Sequence, residues 1–323
     1  MKKVLITGGG GFIGSHIVDE AVRRGCEVNV LDNFSTGRRQ NLQHLTEKIN
    51  LIEGDLRSYH TVHEAVRGCD VIFHVGALPS VPRSVRDPIT SNDVNVNGTL
   101  NILNAAKDCG VPRIVQASSS SVYGANPALP KVETMIPQPK SPYAVSKLTM
   151  EYYGSVFHQL YGLQVVSLRY FNVFGPRQDP NSQYSAVIPK FIKAIMDGTP
   201  ITIHGDGRQS RDFTYVQNVV HANMQAAMTE GAGGEAYNVG LNFQVSLNEM
   251  LNLLFEMCGR STKVIYSEDR IGDVKHSRAD NTKIIERLGF TPQVSFEEGL
   301  RMTVQSFLNS SLPYVPAFME ATA

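Results

Sequence analysis

The sequence predicts an α/β fold, a doubly wound parallel sheet followed by a smaller C-terminal α/β region. Three observations carry this. Short β-branched runs alternate with amphipathic stretches through the first half of the chain, the pattern of a parallel sheet covered by helices. A glycine cluster, Gly8 to Gly11 with Gly14, joins the first of these runs to the first amphipathic stretch. After about Arg177 the rhythm changes to short strands and helices mixed with Gly/Pro turns such as Gly205-Asp206-Gly207.

The elements follow in order. Lys3–Thr7 opens the sheet, and Ile13–Arg24 has the helical period. Glu27–Asp32, Asn50–Glu53 and Asp70–Val75 read as the next strands, followed by one helix over Asn92–Lys107. Arg113–Ser118 and Gln164–Tyr170 complete the strands of the first half. Between those two lies a helix over Tyr143–Tyr161, with Tyr143, Lys147, Tyr153 and Phe157 near helical spacing. Ser141 serves as its N-cap and Pro142 as its first residue. Residues 1–176 then form one domain. Residues 177–310 form a second region over the sheet's carboxyl edge, with some segments returning to the first sheet, and 311–323 form a tail.

Composition narrows the function classes. The 30 Lys and Arg residues balance the 30 Asp and Glu residues, so no basic surplus marks a nucleic-acid binder. A basic amphipathic membrane anchor is equally unsupported, and no run of about 18 apolar residues is present. The start, Met1 to Ile6, briefly imitates a signal peptide before breaking into Gly8 to Gly11. The four cysteines, Cys26, Cys69, Cys109 and Cys258, lack any CxxC pairing and read as free thiols of a cytoplasmic protein. No HExxH or Cys/His set suggests a metal, since His60 and His63 lack a third ligand, and no GxSxG elbow suggests a hydrolase.

The glycine cluster carries the first chemical signal. Gly8, Gly11 and Gly14 fit a tight turn, close backbone approach to a pyrophosphate, and helix–sheet packing. The helix that follows presents free N–H groups and its positive dipole end to phosphates. A merely flexible turn is the alternative. Asp32 ends the second strand 18 residues after Gly14, where a carboxylate accepts ribose hydroxyls and repels a 2′-phosphate. The pair predicts a Rossmann-type site for NAD rather than NADP, with nearby Arg38 and Arg39 leaving the phosphate question open.

Tyr143 and Lys147 stand four apart on one helix face. An unperturbed tyrosine has a pKa of about 10, and lowering it to neutrality takes about 4 kcal/mol. One ammonium at about 4 Å supplies that much at an effective dielectric of about 20, so Lys147 and a cationic nicotinamide ring together suffice. An ordinary surface pair is the bland reading. The strand Ile114 to Ala117 ends in four serines, Ser118 to Ser121, whose hydroxyls at a central strand's carboxyl end face the cofactor crevice.

At this point the chain resembles the extended short-chain dehydrogenase/reductases, and within them the nucleotide-sugar 4-epimerases. The resemblance spans about residues 2–305. Beyond the glycines and Tyr143…Lys147, it rests on Asp55-Leu56, on Asn95 in Asn95-Val96-Asn97-Gly98-Thr99, and on Arg169-Tyr170-Phe171-Asn172. Arg211-Asp212-Phe213 and Arg270-Ile271-Gly272-Asp273 also match.

The resemblance implies roles by position. Phe12 and Ile13 after the glycines, and Asn33, Ser35, Thr36 and Gly37 after Asp32, would border the cofactor, with Asp55 and Leu56 on its adenine side. Val75, Gly76 and Ala77 would follow the fourth strand onto the cofactor, joined by Asn95, Ser118 and Tyr170. Tyr143 would be the base, Lys147 its partner, and Ser119 and Ser120 would orient the reacting oxygen. Asn172, Arg211 and Arg270 would hold a UDP diphosphate, whose charge suits guanidinium forks. Asp273 would take the uridine ribose, and Ala186-Val187 with Thr202 and His204 would face the uracil.

Gly76 departs from the family's usual Ala. The catalytic strand also offers no acidic residue at Ser119 to Ser121, which disfavours a dehydratase or decarboxylase. Ser80, Arg83 and Ser277 resemble the enzymes that act on UDP-N-acetylhexosamines, where a small residue at position 277 leaves room for the N-acetyl group. Arg83 keeps UDP-glucuronate open as a substrate, and an NAD-bound sensor without catalysis is the non-enzyme reading. A homodimer through the helices around Asn92–Lys107 and Tyr143–Tyr161 is implied by resemblance alone.

Overall fold

The computed structural model describes residues 1–180, 186–268 and 275–309. Strand β1 (Lys3–Thr7) leads into α1 (Phe12–Arg23), then β2 (Glu27–Asp32), β3 (Ile49–Glu53), α2 (Tyr59–Val66) and β4 (Val71–His74). Two short helices, α3 (Val81–Arg86) and α4 (Pro88–Asn92), precede α5 (Gly98–Asp108), β5 (Arg113–Ser119), α6 (Pro142–Tyr161) and β6 (Gln164–Tyr170). The remainder runs through β7 (Val173–Phe174), α7 (Val187–Asp197), β8 (Ile201–His204), β9 (Ser210–Arg211), β10 (Thr214–Tyr215) and α8 (Val216–Met228). It ends with β11 (Ala236–Val239), β12 (Val245–Ser246), α9 (Leu247–Cys258), β13 (Val264–Ser267), α10 (Thr282–Leu288) and α11 (Phe296–Leu308).

The main sheet is parallel throughout, in the order β11-β6-β5-β4-β1-β2-β3. Its central strands are buried on both faces, which accounts for their near-continuous apolar runs. Successive side chains alternate between the two layers. Val4 and Ile6 pack with Ile17, Val18 and Ala21 of α1 and with Val219 and Met224 of α8. Leu5 turns the other way, onto Val62 and Ala65 of α2 and Ile102 and Leu103 of α5. Strand order reverses between β1 and β4, and the carboxyl ends of those two strands open the crevice where such sheets bind ligands.

One feature departs from the sequence expectation. The helix expected over Asn92–Lys107 is α4 and α5 joined by a π-helical turn, Asp93–Asn97. Tertiary bonds explain the extra residue in that turn. Asn95 is turned inward, where its side chain accepts from Leu78 N at 2.8 Å and donates to Ser146 Oγ at 3.0 Å. Strand β11, from the region after residue 177, is the seventh strand of this sheet and pairs with β6 after the α8 crossover.

A second apolar core lies outside the sheet, built from α7, α9, α11 and the short strands. Its centre is aromatic. Phe174 meets Tyr215 and Phe296 at ring-centroid distances of 5.6 Å each and Phe213 at 6.3 Å. Phe12 and Ile13 at the start of α1 pack against this second core, and Ile13 also touches the first. The first turn of α1 therefore ties the two cores together.

Phe174→Ala leaves a void among three rings and is expected to destabilise the chain by about 3–5 kcal/mol. Ile285→Ala, at an exposed α10 position, is expected to change stability by less than about 0.5 kcal/mol. Denaturant midpoints of the two variants, compared at equal cofactor concentration, check the contrast; equal midpoints would refute it.

Candidate functional site

The turn after β1 is shaped by an absence of side chains. Gly8 has φ +67°, and a Cβ there would lie 2.6 Å from Gly76 Cα. One at Gly14 would lie 2.1 Å from Gly8 O. The exits of β1 and β4 thus touch as bare backbone, and Gly76, the residue that departs from the family pattern, sits in this contact. Even at Gly76 a Cβ would come within 3.0 Å of both Leu56 Cδ1 and Thr7 Oγ1. Gly11 caps α1 with extended backbone and no side-chain bond, which leaves the helix's first N–H groups for an anion. This cradle fits a dinucleotide pyrophosphate.

Asp32 closes β2 beside that turn. It accepts Gly10 N and Phe34 N, each at 2.8 Å, while burial pushes its carboxyl up against those bonds. Gly37 has no room for a Cβ, which would meet Asp32 Oδ2 at 2.9 Å. The two arginines left open by the sequence are engaged. Arg38 pairs with Asp179 at 2.6 Å, while Arg39 pairs with Glu53 and stacks 4.1 Å over Phe34. Asn33 donates to Asp55 at 2.9 Å and accepts from Ser35 N at 3.0 Å, and Thr36 is exposed beside them. The Arg57 guanidinium holds the Asp55 carboxyl well below the usual carboxylate range. Leu56 is buried under the π-helical turn, against Gly98.

A buried polar chain beneath this surface escapes the sequence reading. Thr7 Oγ1 meets His74 Nδ1 at 2.8 Å, His74 Nε2 meets Thr99 Oγ1 at 2.9 Å, and Thr99 donates to Asn95 O at 2.6 Å. Thr7 also accepts Gly76 N at 3.0 Å, so these bonds assign the proton to Nε2 of a neutral imidazole. Burial pushes His74 down to about 3. The sequence signal was a histidine closing an all-apolar strand, Val71-Ile72-Phe73-His74. Val75 and Ala77 follow it on the loop that carries Gly76.

Helix α6 delivers Tyr143 and Lys147. Ser141 caps it by accepting Ala144 N at 3.2 Å, and Pro142 takes the first position as expected. Tyr143 N donates to Ser84 Oγ at 3.0 Å, which seats the start of α6 on α3. The Tyr143 hydroxyl is hydrogen-bonded to Ser119, whose Oγ also accepts Ser121 N at 3.2 Å. Ser120 begins the 3₁₀ turn that continues β5. Lys147 is 3% exposed and donates to Ala117 O at 2.8 Å.

The balance of charge on this pair is set by burial. Lys147 and a cationic nicotinamide ring together were expected to bring Tyr143 down to neutrality; in the chain by itself burial pushes Tyr143 up to about 12, opposed by the Ser119 bond. The ammonium lies 5.9 Å from the ring centroid, is committed to a carbonyl, and is itself pushed down to about 8 by burial. Both groups are desolvated together. Ionising Tyr143 therefore requires positive charge that the chain alone does not supply.

The hydroxyls of two residues expected beside the cofactor are engaged within the protein. The Ser118 hydroxyl is bonded to Glu151, and the Tyr170 hydroxyl to Asn223 on α8 at 2.8 Å. Each is a buried hydroxyl satisfied inside the protein.

The substrate candidates divide. Asn172, Ala186, Val187, Thr202, His204 and Arg211 line one cavity of about 340 Å³, floored by Phe174 and Phe213. Asn172 has φ +33° and donates to Asp212 O at 2.9 Å and to Ser277 Oγ at 3.3 Å. Arg211 Nη1 reaches Ser210 O and Lys275 O, each at 2.9 Å. Arg270 and Asp273 fall outside the described residues. Ser80 and Arg83 stand on α3, apart from this cavity but within one turn of the Ser84 that holds Tyr143 N. Lys190 and Gln209 also line the cavity and were not foreseen, although Lys190 lies one helical turn after Ala186.

Backbone strain marks the same places. Among the described non-glycine residues, Phe34, Ser80, Asn172, Arg177 and Asn242 have positive φ. The first three flank the cofactor turn, the start of α6 and the cavity. Such conformations persist where surrounding structure over-determines them.

Comparison with known proteins agrees with this geometry. Residues 4–240 match the NAD dependent epimerase/dehydratase family. A UDP-glucose 4-epimerase of Mycolicibacterium smegmatis is 38% identical over 96% of this chain and 99% of its own. A UDP-N-acetyl-alpha-D-glucosaminuronate decarboxylase of Bacillus cytotoxicus is 36% identical over 95% of this chain and 98% of its own. The solved UDP-N-acetylglucosamine 4-epimerase of Methanobrevibacter ruminantium, in complex with UDP-N-acetylmuramic acid, is 41% identical. It superposes with a TM-score of 0.92 over 96% of this chain and 99% of its own. A glycine cradle at the switch point, Asp32 beside it and full-length likeness to such enzymes lead to one conclusion: the protein belongs to the NAD-dependent epimerase/dehydratase family and uses NAD as its cofactor.

Proposed function

We propose that the protein interconverts the carbon-4 epimers of a UDP-hexose, UDP-N-acetylglucosamine and UDP-N-acetylgalactosamine first, and UDP-glucose and UDP-galactose also. The observation that carries the substrate choice is Ser277. Its small side chain accepts a hydrogen bond from Asn172, a residue of the cavity wall, and a side chain of this size leaves more room for an N-acetyl substituent than an aromatic one would. Residues 1–176 would serve the cofactor and 177–310 mainly the UDP-sugar. UDP-glucuronate is the second reading, favoured by Arg83 beside the start of α6 and by the uronate-decarboxylase relative.

When bound, NAD supplies the hydride acceptor and donor. Every other part falls to the chain. Tyr143, as phenolate, takes the proton of the sugar's 4-hydroxyl and later returns it to the 4-keto intermediate. Ser119, itself fixed by Ser121 N, orients that oxygen with Ser120. Lys147, its ammonium fixed on Ala117 O, would hold the cofactor ribose. Asn172, Arg211 and Arg270 hold the diphosphate, the tether on which the keto sugar turns over before reduction on its other face.

A second copy of the chain is the partner in this reading. Val145, Tyr152, Val156 and Leu160 recur at helical spacing on the outer face of α6, all exposed, and Leu160 is 67% exposed. Val85 and Ile89 on the adjoining α3 and α4 extend the patch. A stripe of this kind marks a contact surface. The proposed setting is the cytoplasm, supported by four free cysteines. No described helix is long and apolar enough to cross a membrane.

Three outcomes follow. Tyr143→Phe is expected to lower turnover by about 10²–10⁴-fold with NAD still bound, by chromatography of the epimers and assay of bound cofactor. Ser277→Tyr is expected to abolish conversion of UDP-N-acetylglucosamine while leaving that of UDP-glucose. If only UDP-glucuronate is converted by the unmodified enzyme, the Ser277 reading fails. Val156→Glu is expected to split the dimer, halving the mass seen by light scattering; an unchanged mass would place the contact elsewhere.

A further inference from the structure

A buried ionic group behind the catalytic strand has no part in the chemistry described above. Glu151 lies on α6 one turn beyond Lys147, its side chain 7% exposed. Its carboxylate accepts the Ser118 hydroxyl and a guanidinium fork from Arg169, Nε at 2.9 Å and Nη2 at 2.7 Å. The remaining arm of Arg169 donates to the Tyr123 hydroxyl at 2.9 Å, and Tyr123 donates to Asn238 Oδ1 on β11 at 2.6 Å. Four elements, α6, β5 with its 3₁₀ turn, β6 and β11, converge on this pair.

Stability alone is a weak reason for such a pair, because apolar residues of equal volume often do as well. Its placement points to Lys147. The ammonium donates to Ala117 O, and the next residue along β5, Ser118, is bonded to Glu151. Two residues of one helix face thus hold two consecutive residues of the strand that ends in Ser119. The charged and titratable groups that bear on Lys147 are Tyr143 and Glu151 from α6, His74 from β4, and Arg169 from β6 behind Glu151. His74 is neutral, and the π-helical turn contributes the neutral Asn95 bonded to Ser146. Among the described residues Glu151 is the one acid acting on the ammonium.

We propose that Glu151 is the positioning residue of this site: clamped by Ser118 and Arg169, its carboxylate keeps the Lys147 ammonium charged in the interior and fixed against β5. Arg169 in turn holds the Glu151 carboxylate in place with its two-pronged fork. Burial pushes Lys147 down, and among the described residues Glu151 is the charge that opposes it, the two together leaving it at about 8. The proposal rests on the Tyr143 and Lys147 roles given above and on the cofactor, not on the choice of sugar.

The experiment follows NAD retained by the holoenzyme through gel filtration as pH rises, a readout that involves no sugar. In Glu151→Gln, the pH at which NAD is released is expected to fall by about one to two units, one charge removed at about 6 Å in a medium of effective dielectric about 20. Removing an anion makes the surroundings more positive, so the high-pH limb of epimerisation moves down with it. Glu151→Asp keeps the charge and should release NAD at the wild-type pH. Release at the wild-type pH in Glu151→Gln overturns the proposal. A pH-independent loss of NAD, or an equal shift in Glu151→Asp, also overturns it, because either is a packing effect. If Glu151→Gln does not fold, the double variant Glu151→Gln with Arg169→Met leaves no unpaired ion; its release pH should move down too, by less, and an unmoved value overturns the proposal. Failure to convert any UDP-sugar with the NAD shift intact would count against the substrate reading alone.

Discussion

Between the carboxyl ends of β1 and β4 the chain leaves no room for a side chain, and much of the site follows from that contact. Gly8 meets Gly76 backbone to backbone, and Gly14 is pressed onto the Gly8 carbonyl. Because α1 starts so close to the sheet, its uncapped N–H groups open directly onto the crevice at the switch point. The loop after β2 folds back onto the same turn, where Arg38 N bonds Gly10 O at 2.8 Å and Asp32 takes Gly10 N. Beneath it, Thr7, His74 and Thr99 tie the strand ends to the π-helical turn with neutral hydrogen bonds. A neutral chain suits that position, since it holds the backbone without adding charge near a dianionic pyrophosphate.

The reacting end of the site is organised by the opposite tactic, charge held out of water. Tyr143 and Lys147 are both displaced from their ordinary values by desolvation, in directions that disfavour the ionised forms that catalysis needs. The paired Glu151 and Arg169 stand behind Lys147, and the positive ring of bound NAD would add the charge that the chain lacks. Ionisation of the base is thereby linked to loading of the site, which keeps an unpaired phenolate out of the empty protein.

The substrate end depends on a different core. Its cavity is floored by the Phe174–Phe213 edge contact, and Asn172 reaches it from the residue just before β7. Phe12 and Ile13, which immediately follow Gly11, pack into that core. The helix that receives the pyrophosphate is therefore also the mechanical link to the region that would receive the sugar nucleotide.

What the amino-acid sequence determined by itself was local. Strand Gln164–Tyr170 has the bounds its β-branched run predicts, Ser141-Pro142 starts α6, and the glycines and Asp32 reveal a dinucleotide crevice, because periodicity, capping and steric demand act between near neighbours. The UDP-side residues Asn172, Ala186, Val187, Thr202, His204 and Arg211, read from family likeness, do converge on one cavity. Only the tertiary structure decided where hydroxyls and charges found partners. Ser118 bonds a residue 33 positions away and Tyr170 one 53 away, so both hydroxyls are engaged within the fold. The π-helical turn at Asn95, the seventh strand at β11 and the high pKa of Tyr143 have the same origin. Each is fixed by what the folded chain brings alongside, and by how completely it excludes water there.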